Sequence, residues 1–124
     1  MSLKKIVLAA LASLMGLVAC APIEFDFTSG PEVAAALSGK SVVGNLVGVG
    51  AYCEFHDANG LVVGRDTELY AGTWEMNNNA ICYAYPGFAT DCQLALITGN
   101  RARFMDGFGT TVASGNIVDG NVCA

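Results

Sequence analysis

The chain has one histidine, His56, and it sits beside an acid, Asp57. An imidazole next to a carboxylate is two thirds of a Ser-His-Asp set. The nucleophile's elbow, Gly-x-Ser-x-Gly, does not occur in the sequence. The run His56-Asp57-Ala58-Asn59-Gly60 reads instead as a hairpin turn, because Asn-Gly supplies the positive φ that short hairpins need. His56 is therefore expected as an exposed turn residue. Asp66, Glu68 and Glu75 could pair as carboxylates for sugar hydrolysis, but acids on strands normally decorate the solvent face, and that is the expectation here. Gly39-Lys40-Ser41 ends like a phosphate loop. Ala34 stands where that motif needs glycine, and the stretch follows a helix pattern, so Gly39 reads as a helix stop. Gly48-Val49-Gly50 lacks the third glycine of a dinucleotide fingerprint and reads as strand distortion. A single histidine leaves no zinc set. No catalytic residue, metal or cofactor is assigned, and a non-enzymatic protein is expected. Trp74, Tyr83, Tyr85 and Phe88 are candidates for a ligand or partner surface at a barrel mouth. Packing in an aromatic core is the competing reading, with Phe88, in a turn, the one expected to be exposed.

The elements that must hold these residues are strands. Tyr70, Gly72, Trp74 and Met76 alternate with Ala71, Thr73 and Glu75, a period of two with the aromatic content strands favour. Asn77-Asn78-Asn79 breaks the pattern, and asparagine tolerates positive φ, so a tight turn is predicted there. Ala80 to Tyr85 resumes as a strand, Pro86-Gly87 turns, and Asp91 to Thr98 follows. If these two strands fold about Gly87, Cys82 faces Cys92 across the ladder, close enough for a disulfide. That leaves Cys53 to pair with Cys123, stapling the C-terminus to an early strand.

The same reading extends along the chain. Pro31 to Leu37 is a short helix, with Pro31 at its start, Glu32 at its positive end and Gly39 past its stop; Val33, Ala34 and Leu37 face the core. Residues 21–29 are a tether or an added edge strand, since Ile23, Phe25 and Phe27 alternate with Glu24 and Asp26. Strands are predicted from Val42, over Val49 to Phe55, Leu61 to Arg65, Arg101 to Met105 and Thr110 to Ser114, the last extending through Ile117-Val118. The class is mainly β: an antiparallel meander of about eight short strands that closes into a small barrel or curls over itself, with one short helix plugging an end or covering an edge.

The first residues carry an address. Met1 to Lys5 is basic and Ile6 to Val18 is an uncharged 13-residue run, the length of a signal-peptide core and too short to span a bilayer. Leu17-Val18-Ala19-Cys20 resembles the lipobox of bacterial lipoproteins. The resemblance implies cleavage before Cys20, lipidation of that cysteine, and an outer-membrane destination, since Ala21 and not aspartate follows. An ordinary signal peptide cut after Ala21 is the alternative. Losing Cys20 to lipid leaves four cysteines of five, an even set for an oxidising compartment. The division expected is a signal peptide over 1–19, a lipid-anchored tether over 20–30, and a single β-rich domain over 31–124. Beyond the leader, four basic residues (Lys40, Arg65, Arg101, Arg103) stand against eleven acids, a net charge of −7. Such a chain is repelled by nucleic acid and by anionic lipid surfaces. Membrane contact comes through the lipid, and the partner expected is an envelope protein.

Two resemblances bear on the folded part. Gly60 to Arg65, Gly72-Thr73-Trp74, Cys82-Tyr83 and Cys92 resemble a group of small secreted β-rich proteins of Gram-negative bacteria, over residues 40–121; no activity is implied. Ala71-Gly72-Thr73-Trp74 with Cys82 is similar to the alkaline-protease-inhibitor type of barrel, some of them lipoproteins, which implies eight strands. The function expected is a non-catalytic binding or structural module of the cell envelope. The alternative is a periplasmic inhibitor of a protease or lysozyme-like hydrolase.

Overall fold

A computed structural model describes residues 3–9 and 22–124, with side chains from Glu24 onward. Ten strands and one helix follow in order: β1 (Leu3–Ala9), β2 (Pro22–Thr28), α1 (Gly30–Leu37), β3 (Lys40–Leu46), β4 (Gly50–His56), β5 (Leu61–Arg65), β6 (Leu69–Asn77), β7 (Ala80–Ala84), β8 (Asp91–Thr98), β9 (Arg101–Met105) and β10 (Thr111–Asp119). Strands β3 to β10 form an antiparallel meander, and β10 pairs back onto β3 to close an eight-stranded barrel. Closure leaves the barrel no free edge. Between a closed barrel and a curled sheet, the chain adopts the first.

The registers follow the turns. Asn78 has φ 55, so the β6–β7 hairpin turns on Asn78-Asn79 with Asn77 opposite Ala80. Gly87 has φ 85, and the β7–β8 ladder puts Cys82 opposite Cys92 and Tyr83 opposite Asp91. Residues 21–29 had two expectations, and the strand is the one observed. Strand β2 pairs with β1 and lies on the outside of β8, where Phe27 is buried with Leu94 and Met105. Thr28 Oγ1 accepts a hydrogen bond from the Ile97 main-chain N–H at 2.8 Å. Strand β8 is thus covered on both faces, which accounts for its unbroken apolar run Leu94-Ala95-Leu96-Ile97.

Helix α1 closes one end of the barrel. Val33 and Leu37 are fully buried among Val42, Val62, Trp74 and Ile81; the third helix residue packed against that core is Ala36 and not Ala34, which is half-buried beside an outer groove. The Gly30 N–H donates to Asn79 Oδ1, tying the helix start to the β6–β7 turn. Gly39, at φ 75, ends the helix as expected, and its N–H bonds the His56 carbonyl.

Both disulfides form on the outer surface. Cys82–Cys92 links neighbouring strands with Cα atoms 4.0 Å apart. Cys53–Cys123 spans 70 residues and holds the C-terminal tail across β3 onto β4. Ser41, buried beneath that tail, donates from Oγ to the Gly120 carbonyl and accepts from the Val122 N–H. A longer closed loop removes more entropy from the unfolded chain. Replacing Cys53 and Cys123 by serine should therefore cost about 4 kcal/mol, against about 3 kcal/mol for Cys82 and Cys92. Urea unfolding of the two double variants would measure this, and the reverse order would refute it.

Candidate functional site

The end of the barrel opposite α1 is hollow. A cavity of about 400 Å³ opens there, and all four tyrosines of the chain, Tyr52, Tyr70, Tyr83 and Tyr85, line it. Glu54 points into the same space and is only 7% exposed. An eight-stranded barrel has room for its own side chains or for one small ligand. Here the helix end is filled and the mouth end is not.

The site is built by strand parity. On β4, Tyr52, Glu54 and His56 face inward, while Cys53 and Phe55 face outward. Strand β6 brings Tyr70, strand β7 Tyr83, and the residue just past β7 is Tyr85; Tyr70 and Tyr85 reach Glu54, and Tyr83 reaches His56 one inward position deeper. Tyr70 and Tyr85 both donate their hydroxyls to Glu54 Oε2, at 2.5 and 3.1 Å. Two glycines allow this. A Cβ on Gly64 would lie 2.4 Å from Tyr70 Cζ, and a Cβ on Gly72 would lie 2.7 Å from the Tyr85 ring and 2.3 Å from the Ala84 carbonyl. Each tyrosine ring therefore lies against bare backbone, which no larger residue would permit. The Tyr70 and Tyr85 rings meet edge to face at 5.4 Å, and Tyr83 stacks parallel to Tyr85 at 6.1 Å.

Electrostatics are set by burial. Desolvation pushes the Glu54 carboxyl above its ordinary pKa, the two tyrosine hydroxyls pull it back, and Asp66 at the rim pushes it up further. Burial and the neighbouring Glu54 charge raise the phenols of Tyr52, Tyr70, Tyr83 and Tyr85, so all four stay protonated donors. The rim adds Asp66, Glu68 and Asp91, and among the described side chains no lysine or arginine lines the cavity.

His56 departs from expectation. It is not an exposed turn residue but the last residue of β4, 1% exposed, paired with Val62 on one side and Lys40 on the other. The hairpin begins one residue later, at Asp57, whose Oδ1 accepts from the Asn59 N–H. His56 Nε2 shares a 2.9 Å hydrogen bond with the Tyr83 hydroxyl, and the ring stands edge-on to Trp74 at 5.4 Å. Nδ1 has no well-aligned partner among the described residues. Burial lowers the pKa of His56 to about 4, with the Lys40 main chain opposing it weakly. The imidazole is neutral at pH 7, and Glu54 Oε1, 3.6 Å away, is beyond hydrogen-bonding distance. The two do not form a carboxylate–imidazole dyad.

The other sequence candidates separate. Tyr83, Tyr85 and Phe88 meet at the cavity, with Phe88 79% exposed in the β7–β8 turn. Trp74 lies at the helix end, buried, with Nε1 donating to the Asp57 carbonyl. Asp66 and Glu68 stand at the rim, whereas Glu75 is exposed on the outer wall. Tyr52, Tyr70 and Glu54 belong to the site and were not singled out from sequence. The lipobox, 17–20, lies outside the described residues. Among those residues no group of three or more His, Cys, Asp or Glu side chains could hold a metal ion. No family model matches the chain, and no curated protein matches it either.

Opposed pKa shifts give stability a defined pH dependence. His56 has its folded pKa depressed, so the unfolded chain binds more protons than the folded one between pH 4 and 6.5. Its contribution is fully present above pH 6.5 and is lost as pH falls to about 4, a change of about 3 kcal/mol. Glu54 has its folded pKa raised, so its contribution is present at low pH and is lost as pH rises from 4.5 through the folded value. The two partly cancel. In Glu54→Gln, urea midpoints should fall steeply between pH 6.5 and 4, and adding His56→Gln should flatten that fall. An unaltered slope in the double variant would show that His56 is not the titrating group.

Proposed function

We propose that this protein is an exported bacterial envelope lipoprotein whose barrel is a non-catalytic binding module, taking a small ligand into the tyrosine-lined mouth. The cavity carries the reading. It is concave, rich in aromatic rings, and has a few convergent polar groups around one buried carboxyl, the general character of a small-molecule site. Nothing in it pairs a base with a nucleophile: Glu54 is held by two phenols, and His56 by a third.

The address supports the same reading. The leader and lipobox motif point to an anchor at Cys20, and two disulfides suit an oxidising compartment. Phe25 of β2 lies against Gly109 in the β9–β10 turn, at the mouth end, so the chain reaches that end as it is traced back towards Cys20. Cleavage before Cys20 would remove β1 from β2.

A second reading, an inhibitor of a protease or lysozyme-like hydrolase, is favoured by one observation. Three of the four turns at the mouth carry an exposed apolar residue, Val47 and Val49, Phe88 and Phe108, and exposed Leu69 opens the strand after the fourth. The turns at the other end, Asp57 to Gly60, Asn78-Asn79 and Gly99-Asn100, are polar or small, with exposed Leu61 opening the strand after the first. Such a crown suits a protein surface, and stoichiometric inhibition of a hydrolase, lost in Phe88→Ser with Phe108→Ser, would establish that role.

The intact mass of the unreduced, membrane-extracted protein should correspond to a chain starting at Cys20 with acyl groups and two disulfides. A lipid-free chain starting near Pro22 would defeat the anchor. For the cavity, N-phenyl-1-naphthylamine should brighten on binding at one equivalent, with at least tenfold weaker binding to Leu46→Trp, which fills the mouth from β3. Binding that is absent in the wild type, or unchanged in the variant, would remove the cavity from consideration.

A further inference from the structure

The cavity's chemistry narrows the ligand further. We propose that it takes an organic ammonium cation, seated between the tyrosine rings and Glu54. The inference rests on the reading of the cavity as a ligand site.

Three features converge on a positive charge. Glu54 is the acid at the floor, and its two protein donors, Tyr70 and Tyr85, both go to Oε2. Oε1 accepts no hydrogen bond from any described residue, and the neutral His56 Nε2 stands 3.6 Å from it. A carboxyl that lines the cavity thus keeps acceptor capacity that no described side chain uses. The walls are phenol rings whose faces carry negative quadrupole charge, and a cation within about 6 Å of a ring centroid is attracted to it. Tyr83 and Tyr85 stack in parallel with Tyr70 edge-on to Tyr85, so more than one ring borders the same space. The rim repeats the sign, with Asp66, Glu68 and Asp91 and, among the described side chains, no basic one lining the cavity. An anion would meet the rim carboxylates Asp66, Glu68 and Asp91 and no counter-charge from the described side chains.

Selectivity follows from the same geometry. A buried carboxylate without a counter-ion is disfavoured by desolvation, which is why burial raises the pKa of Glu54. An ammonium entering the cavity supplies the missing charge in a site partly shielded from water, where opposite charges attract more strongly than in bulk. Binding should then pull the Glu54 proton off, and affinity should fall as pH drops and Glu54 stays protonated. The groups facing Glu54 are Tyr52, Tyr70, Tyr83 and Tyr85, His56 and Asp66. The phenols do not titrate near neutral pH, His56 is neutral above about pH 4, and Asp66 remains ionised down to below its usual carboxylate range. A neutral ligand that merely stacks on the rings would show none of this dependence. The cavity, at about 400 Å³, suits a head group with a few carbons.

The test is a comparison of choline with 3,3-dimethylbutan-1-ol, which has a carbon in place of the charged nitrogen. Both would be titrated into the full β domain at pH 7 while the ring resonances of Tyr70, Tyr83 and Tyr85 are followed by NMR. Choline should bind at least tenfold more tightly, and Glu54→Gln should reduce that preference to about threefold or less. N-phenyl-1-naphthylamine binding would show that the cavity of the variant is intact. Equal affinity for the two probes, with N-phenyl-1-naphthylamine still bound, would overturn the cation and leave the cavity standing as a neutral site. Failure of choline to shift the three tyrosines would also overturn the cation. If N-phenyl-1-naphthylamine failed as well, the ligand site itself would fall.

Discussion

A carboxyl group buried inside a small β-barrel sets the terms for much of this structure. Removing a carboxylate from water is costly unless hydrogen bonds or a counter-charge replace the lost solvation. Glu54 is provided with two phenol donors, and those phenols reach it because their rings come close against the barrel wall. They come that close because Gly64 and Gly72 leave the room a Cβ would take. The glycines are weak strand formers, so they persist only where neighbouring strands hold them on both sides. Strand β5 is held by β4 and β6, and β6 by β5 and β7. One acidic side chain thus accounts for two tyrosines, two glycines and the need for a continuous wall.

The barrel divides its labour between its ends. At the helix end, Val33, Leu37, Val42, Val62 and Ile81 are fully buried, and the polar atoms are tied to backbone, as Trp74 Nε1 is to Asp57 and the Gly30 N–H is to Asn79. At the mouth end, hydroxyls and a carboxyl replace hydrocarbon, and space is left unfilled. A second small core outside the barrel, Phe27 with Leu94 and Met105, adds apolar burial where β2 covers β8. His56 sits at the boundary, edge-on to Trp74 below and hydrogen-bonded to Tyr83 above. It touches both the packed half and the polar half without itself carrying charge at neutral pH.

Much of the scaffold was legible in the sequence, and the reasons are local. Asparagine at 78 and glycine at 87 fix two hairpin registers by their positive φ, and the second register brings Cys82 opposite Cys92. The alternation over residues 70–76 placed Tyr70, Gly72, Trp74 and Met76 on one face, and that face is the inner one. Closure was not legible, because the β3–β10 ladder joins strands some seventy residues apart and no turn reports it. The site was read only in part. An acid flanked by Cys53 and Phe55 looks solvent-facing by composition, and Phe55 looks like the core residue. The signal that reverses this is Cys53. It must face outward to meet Cys123 on the tail, so Tyr52, Glu54 and His56 must face inward. His56 was assigned to the turn because Asn59-Gly60 is a strong turn signal, yet the ladder continues through His56 to Val62.

A half-empty barrel gives up packing that a filled one would have. Interiors of this size are normally dense, and each missing contact weakens the native state. The structure offsets the loss outside the cavity rather than within it. Closure removes both sheet edges, α1 seals one end, and two disulfides limit the unfolded chain. One of them acts next to the cavity wall on β7 and β8, and the other fixes the outward side of β4, the strand that carries Glu54. Constraint on β4 from Cys53 and from its neighbours β3 and β5 holds the carboxyl at one depth and one orientation. The open volume and the rigid surround are then two parts of one arrangement: the mouth can stay unfilled because the wall behind it cannot slide.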